Sequence, residues 1–216
     1  MSFAAKGLLV VVSGPSGCGK STLCRKVLKG SNHEFGLVVS HTSRAMREGE
    51  ENKVDYHFLS RDEFEANIEQ DRYLEWARVH DNYYGTPKDQ VEQILAEGKN
   101  VMLEIDVQGG LQVKEKVPAS LLLFVSPPKF ETLEERLTSR ATDSREIIEK
   151  RLKNAVAELQ RIPDYEYLVI NDELDDAVVE FESVLTAASL SIKRIDMEAL
   201  SGALKVPISR KNKKSS

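Results

Sequence analysis

The chain has 216 residues, 41% hydrophobic and 30% charged, the balance of one folded domain with appended subdomains and too short for two large ones. Its 35 acidic residues outnumber 30 basic ones for a net charge of -5, so no overall basic field recruits nucleic acid, and an anionic ligand must be met by local Arg and Lys. No apolar run approaches the ~20 residues that span a bilayer, no cleavage site follows the N-terminal run, and the two cysteines lack metal-ligand spacing. These features exclude a membrane protein, a disulfide scaffold and a zinc site, and leave a reducing cytoplasm as the expected compartment.

In chain order, residues 8–12 (LLVVV, within LLVVVS) form a continuous β-branched run, as expected of a strand buried on both faces. A Gly-rich turn and the helical pattern STLCRKVLKG follow, stopping at Gly30. Residues 35–86 break the rhythm with short, polar and aromatic pieces, one helix-like stretch at 61–70, and turn signals at Glu48-Gly49 and Asn82; they read as an inserted subdomain. Further apolar strands are expected at 101–107 (VMLEIDV), 121–125 (LLLFV) and 167–170 (YLVI), with helices at 87–97, 129–140, 144–160 and 173–189. Strands alternating with helices imply a parallel sheet covered on both faces. Residues 126–165, rich in Arg and Glu, read as a helical excursion over that sheet, and the basic tail after Pro207 is expected to fray into solvent.

The strongest motif is Gly14-Pro15-Ser16-Gly17-Cys18-Gly19-Lys20-Ser21, which fits G-x-x-x-x-G-K-[ST] between a predicted strand and a predicted helix. Glycines let backbone N–H groups turn inward around phosphate oxygens, and the helix starting near Lys20 aims its positive dipole end at the same anion. Lys20 would supply a full charge to the β and γ phosphates and the Ser21 hydroxyl a ligand to Mg²⁺. By composition such a pattern arises by accident in on the order of one chain in a hundred of this length, before its strand–turn–helix context is counted. The chain is therefore expected to bind a nucleoside triphosphate. Cys18, beside Lys20 at a helix N-terminus, has surroundings that favour a thiolate; the plainer reading is that this position needs only a small residue.

The next clusters bear on the second substrate. Arg44 and Arg47 in SHTSRAMREGE, Tyr56 in VDYHF and Tyr84 in NYYGT would together grip a second phosphate, because guanidinium binds phosphate oxygens as a fork. Glu75 in LEWARV suits a base edge instead: a carboxylate accepts two parallel hydrogen bonds, and guanine offers N1–H and N2–H₂ side by side. Taken singly each of these residues is weak, since an exposed Arg or a half-buried Tyr is usually structural. Asp106, at the end of VMLEID, is by its position a candidate acid near Mg²⁺.

GPSGCGKST, SHTSRAMREGE, DYHF, EWARV, NYYGT, LEIDVQG, EERLTSR, EKRL and VINDELD stand in the order and at the spacings of guanylate kinase, which the chain resembles over residues 7–190. The resemblance implies an α/β fold: a P-loop NTPase core with a parallel sheet flanked by helices (7–36, 97–126 and 161–190), an inserted GMP-binding subdomain (37–96) and a helical lid (127–160). Residues 191–216 would form a C-terminal extension ending in the flexible basic tail. It further implies transfer of the ATP γ-phosphoryl group to GMP, with Mg²⁺ and without nucleic acid, membrane or an obligatory protein partner. Among residues, it implies that Gly14 to Ser21 and Thr22 bind ATP, with Asn171 near the adenine. Ser40, Glu75, Thr86 and Asp106 would contact or orient the guanine; Arg44, Arg47, Tyr56 and Tyr84 would hold the GMP phosphate. Arg136 and Arg140 match the lid arginines, and Arg151 the arginine that reaches back to the transferring phosphates. Two positions depart from the family pattern: Glu104 stands where Asp is common, one methylene shorter, and Ala141 follows Arg140 where Gly is common, stiffening the lid hinge. Asp106 or Glu104 would meet the metal through water.

Two other functions compete. Guanylate-kinase-like domains in scaffold proteins bind protein ligands without catalysis, but such a module does not need Lys20, Ser21 or the lid arginines. A same-fold kinase for another phosphorylated substrate would not need the Glu75, Ser40 and Thr86 set. dGMP is expected to be accepted alongside GMP.

Overall fold

The computed structural model describes residues 7–79, 81–138 and 145–208. Strand β1 (Leu9–Ser13) leads through the Gly-rich turn into helix α1 (Lys20–Gly30). Next come β2 (Phe35–Gly36), β3 (His41–Thr42), β4 (His57–Phe58), α2 (Arg61–Glu69), β5 (Tyr73–Val79), β6 (Asn82–Pro87) and α3 (Lys88–Ala96). The remainder is β7 (Asn100–Glu104), α4 (Val107–Lys116), β8 (Leu121–Ser126), α5 (Phe130–Thr138), α6 (Arg145–Leu159), β9 (Tyr167–Ile170), α7 (Leu174–Ser189) and α8 (Met197–Leu204).

Five strands form a wholly parallel sheet in the order β2-β7-β1-β8-β9, with β1 in the middle. Alternate residues of β1 face opposite sides of the sheet and seed two cores. Val10 and Val12 join Leu23, Val27, Leu123, Val125, Phe181 and Leu185 on one face. Leu9 and Val11 join Leu74, Val91, Leu103, Val113 and Leu122 on the other. This double burial is why β1 and β8 read as unbroken apolar runs. Among the described residues no helix is long and apolar enough to cross a membrane.

Residues 35–86 are more ordered than their polar, aromatic composition announces. Apart from β2, their strands build a second sheet in the order β4-β3-β6-β5, in which β5 and β6 pair antiparallel. The reversal falls between Val79 and Asn82, so Asn82 is the first residue of β6 rather than the turn. The helix-like stretch at 61–70 is α2, begun by a capping box in which Ser60 accepts from the Glu63 N–H and Glu63 accepts from the Ser60 N–H.

Two expectations need correction. The strand at 101–107 stops at Glu104, because Asp106 turns the chain as the N-cap of α4, its Oδ1 accepting from the Gly109 N–H at 2.8 Å. The helix α4 is absent from the sequence reading. Its VQGGLQVKEK pattern carries two adjacent glycines, poor helix formers that mask the period. Packing supplies the reason for Gly109, where an added Cβ would stand 3.0 Å from Glu75 Oε2. Beyond residue 190 the chain is also helical, with α8 capped by Asp196. The basic tail from 209 onward lies outside the described residues.

Candidate active site

The phosphate loop is shaped by backbone that only glycine adopts without strain. Gly19 has φ of 86°, and a Cβ there would stand 2.3 Å from Asn171 Nδ2. It serves as the N-cap of α1, accepting from the Thr22 and Leu23 N–H groups at 3.1 and 3.0 Å, while the Cys18 N–H donates to the Pro15 carbonyl at 3.1 Å. Lys20 Nζ lies over the loop, 3.3 Å from the Gly14 carbonyl and 3.4 Å from that of Ile105. Ser16, Ser21 and Thr22 are exposed at the mouth. Gly14 and Pro15 are buried beneath it, and Gly17 packs against Leu133 and Leu137 of α5.

Cys18 overturns the thiolate expectation. It is fully buried, and burial pushes its thiol above the ordinary value; the nearby Lys20 charge opposes this and does not prevail. The small-residue reading of this position therefore stands. Cys24 is likewise buried and pushed up to about 12, by burial first and then by the Glu104 charge.

Beside the loop, a cleft of about 370 Å³ is lined by Gly17, Gly19, Thr22, Arg136, Asn171, Asp172 and Leu174. Asn171 is buried here and donates through Nδ2 to the Cys18 carbonyl at 2.8 Å. Arg136 donates to the same carbonyl at 3.4 Å and to the Asn171 carbonyl at 3.5 Å. Ser21 Oγ donates to Glu104 Oε1. A hydroxyl and a carboxylate touching at the phosphate loop are hard oxygen donors of the type Mg²⁺ takes, since that ion keeps several waters and needs few protein ligands. Among the described residues no cluster of three or more His, Cys, Asp or Glu is arranged for a metal of its own.

The residues expected around a second phosphate gather on the smaller sheet. The Arg44 guanidinium lies 5.7 Å from the Tyr56 ring centroid and 5.5 Å from that of Phe58. Tyr56 and Tyr84 meet edge to face at 6.0 Å. Glu50, which the sequence reading passed over, completes the cluster. Its carboxylate takes a fork from Arg44 at 2.7 and 3.0 Å, and the Arg47 N–H at 2.7 Å. Those contacts, Arg44 first, hold the Glu50 carboxyl down at about 2. The same pairing, with help from Tyr84, raises Arg44. The only hint in the sequence was an acid three residues after Arg47 in a stretch otherwise suited to anions. The Arg47 side chain itself is exposed.

Glu75, Thr86 and Asp106 form the third group. Glu75 and Thr86 are buried on paired strands, with Thr86 Oγ1 donating to Glu75 Oε1 at 2.5 Å. Burial raises the Glu75 carboxyl; the Thr86 hydroxyl lowers it and the Asp106 charge raises it again. Ser40 is half-buried, and among the described residues it has no hydrogen bond to this trio; its carbonyl accepts from the His57 N–H at 2.8 Å. Helix α6 carries the half-buried Arg151 and Glu158, with Ala155 between them buried in the core. Glu158, also passed over, lines an opening of about 540 Å³ with Asp106, Asn154 and Arg161. Burial raises its carboxyl, against the Lys20 charge. Arg140 and Ala141 lie outside the described residues.

A family model described as guanylate kinase matches residues 6–188. A guanylate kinase of Carboxydothermus hydrogenoformans is 47% identical over 195 residues, covering 90% of this chain and 95% of that protein. One of Clostridium tetani is 44% identical over 190 residues, covering 88% and 90%. Among solved structures, the crystal structure of guanylate kinase from Anaplasma phagocytophilum superposes with a TM-score of 0.73 at 28% identity, covering 96% of this chain and all of that one. With the phosphate loop, the arginine–tyrosine cluster and the buried carboxyl assembled on one frame, the chain belongs to the guanylate kinase family.

Proposed function

We propose that the protein transfers the γ-phosphoryl group of ATP to GMP, giving ADP and GDP, with dGMP as a second acceptor, in the cytoplasm. One observation carries the reading: three successive residues tie together both halves of the site. Glu104 accepts from Ser21, the Ile105 carbonyl accepts from Lys20, and Asp106 stands beside the buried Glu75. A nucleotide on the phosphate loop and a base at Glu75 would thereby both border the short stretch 104–106, which suits the alignment an in-line transfer needs.

In this reading the loop backbone and Lys20 cradle the ATP phosphates, and Asn171 borders the adenine. Arg44, Arg47, Tyr56 and Tyr84 hold the GMP phosphate. Glu75 accepts from the guanine N1–H and N2–H₂, with Thr86, Asp106 and Ser40 orienting the base. Ser21 and, through water, Glu104 would hold Mg²⁺, which neutralises phosphate charge when bound. Asp106 is a weaker metal candidate, because one carboxylate oxygen is already committed to capping α4. The GMP phosphate is already an oxyanion, so no general base is required. Catalysis is then positioning and charge neutralisation. Arg44 and Arg47 offset repulsion between the two nucleotides' phosphates, and Arg136, Arg140 and Arg151 screen the transferring group. We place the GMP-binding subdomain at 37–96 and the lid at 127–160.

The test is a coupled assay of ADP formation against GMP, dGMP, AMP, CMP and UMP, run with the wild type and Glu75→Gln. Gln sets an NH₂ donor against a guanine donor, so kcat/KM for GMP should fall by about 2–4 kcal/mol in transition-state terms. The KM for ATP should stay within twofold, roughly, because Glu75 belongs to the other half of the site. AMP should gain relative to GMP, since adenine N1 can accept from the new donor. Unchanged GMP efficiency in Glu75→Gln would remove Glu75 from base reading, and preference of the wild type for another monophosphate would remove the function.

A further inference from the structure

Glu75 sits on an edge strand, and the edge is closed on both sides of it by one helix. In the smaller sheet β5 is the last strand, with β6 its only strand partner among the described residues. The pairing carries a bulge: Tyr73 faces Pro87 and Glu75 faces Thr86, leaving Leu74 as the extra residue. A bulge re-aims the side chains that follow it, here Glu75, and costs the strand part of its ladder. Helix α4 supplies what the ladder lacks. Lys116 Nζ donates to the Tyr73 carbonyl at 2.8 Å, on the bulge itself. Past Glu75, the Gln112 side-chain amide accepts from the Trp76 N–H at 3.4 Å and donates to the Trp76 carbonyl at 3.3 Å. Gly109, on the same face of α4, passes under Glu75 Oε2. Lys116 is anchored in turn by Asp71, at 3.3 Å, which also pairs with Lys88.

We propose that Lys116 is a positioning residue for base recognition, its ammonium pinning the bulge in β5 that aims Glu75 at the guanine. The inference rests on the reading of Glu75 as the base-reading carboxylate. A lysine in the last turn of a helix ordinarily faces its own helix's carbonyl end; this one reaches a strand carbonyl two residues before the buried acid. Its charge has a second effect. The groups facing Glu75 are the Thr86 hydroxyl from β6, Asp106 from the start of α4 and Lys116 from its end; Lys116 opposes the upward push of burial and Asp106 adds to it. Lys116 therefore helps keep ionised the carboxylate that must accept from guanine. The sign follows. Glu75 loses its charge as pH falls through a raised value, and removing a nearby cation raises that value further, so the acid limb of GMP efficiency moves to higher pH.

The experiment measures kcat and KM for GMP, AMP and ATP from about pH 5 to 9, above the ordinary carboxylate value. The variants are Lys116→Met, Lys116→Arg, Lys116→Gln, Glu75→Gln and the Lys116→Met/Glu75→Gln double, each checked by thermal melting. Lys116→Met should lower kcat/KM for GMP about tenfold, mostly through KM, and move the acid limb to higher pH, with the KM for ATP unmoved. Lys116→Arg should restore both. Lys116→Gln keeps a donor without charge, so it should recover the KM and not the limb. In the Glu75→Gln background Lys116→Met should cost less than about twofold more, because residues that act through one another are not additive. Full additivity, or a GMP loss with an unmoved limb and loss of Tm in every Lys116 variant, overturns the proposal and leaves base reading by Glu75 intact. A Glu75→Gln enzyme with normal GMP efficiency overturns the base reading itself.

Discussion

Cys18 illustrates how a single residue's surroundings decide its chemistry. Its neighbours in sequence, a lysine and a helix N-terminus, favour thiolate. Its neighbours in space, Leu133 and Leu137 of α5 packing over the adjoining Gly17, are apolar and exclude water. Desolvation of the charged form outweighs one cation. Iodoacetamide at pH 8 should accordingly label neither Cys18 nor Cys24 in the folded protein within the time that labels both in denaturant, as read by mass spectrometry. Faster labelling of Cys18 than of Cys24, with protection by ATP, would restore the thiolate. Glu75 is the opposite case. Burial raises it as well, yet the Thr86 hydroxyl and, to a smaller extent, the Lys116 charge work to keep it ionised. A buried acid supported in that way is more readily explained as a recognition group than as a packing error.

At the scale of the element, α4 is where stability and function pull apart. Alanine is the better helix former, so Gly109→Ala in isolation favours α4 by about 1 kcal/mol. The added methyl would stand 3.0 Å from Glu75 Oε2, a contact that pushes the carboxylate aside. Gly109→Ala should therefore keep or raise Tm while raising the KM for GMP severalfold, with the KM for ATP unchanged; steady-state kinetics beside a thermal melt decides it. A simple fall in Tm with unchanged KM would mean that the backbone yields and Glu75 does not. Helix α5 shows the same coupling on the ATP side. Leu133 and Leu137 are buried against the phosphate loop, and Arg136, between them in sequence, reaches the Cys18 carbonyl. The apolar face of this helix and its charged face thus serve different ends: one docks on the loop, the other carries guanidinium to it.

For the whole molecule, the cations proposed to meet phosphate are divided among three bodies: Lys20 on the core, Arg44 and Arg47 in the connection between β3 and β4 of the smaller sheet, and Arg136 and Arg151 on α5 and α6. A site shared in this way is complete only when the bodies approach, which excludes water from the transferring group. Adding GMP together with a non-hydrolysable ATP analogue should compact the protein more than either ligand alone, read as a smaller radius of gyration by small-angle scattering. An unchanged radius with both ligands would count against closure. The openings of about 540 Å³ beside Asp106 and about 370 Å³ beside Asn171 are the spaces such an approach would narrow.

What the sequence determined by itself is local. The strands β1 and β8 are legible because both their faces are buried, and the phosphate loop because its eight residues run contiguously from a strand into a helix. The order of short motifs pointed to the family for the same reason, each motif being one turn or strand end. Tertiary structure decided the rest. Helix α4 was hidden because Gly109 is there to let Glu75 approach, not to suit a helix. Asp106 became a helix cap, and β7 ended three residues short of the expected 107, because a neighbouring backbone N–H competed for its carboxylate. Glu50 was found only when the chain turned back to set its carboxylate against Arg44. Lys116 lies 43 residues from the carbonyl it holds, a separation across which no periodicity speaks. Local pattern reports which surfaces a segment must bury, and only the packed chain reports which charges end up side by side.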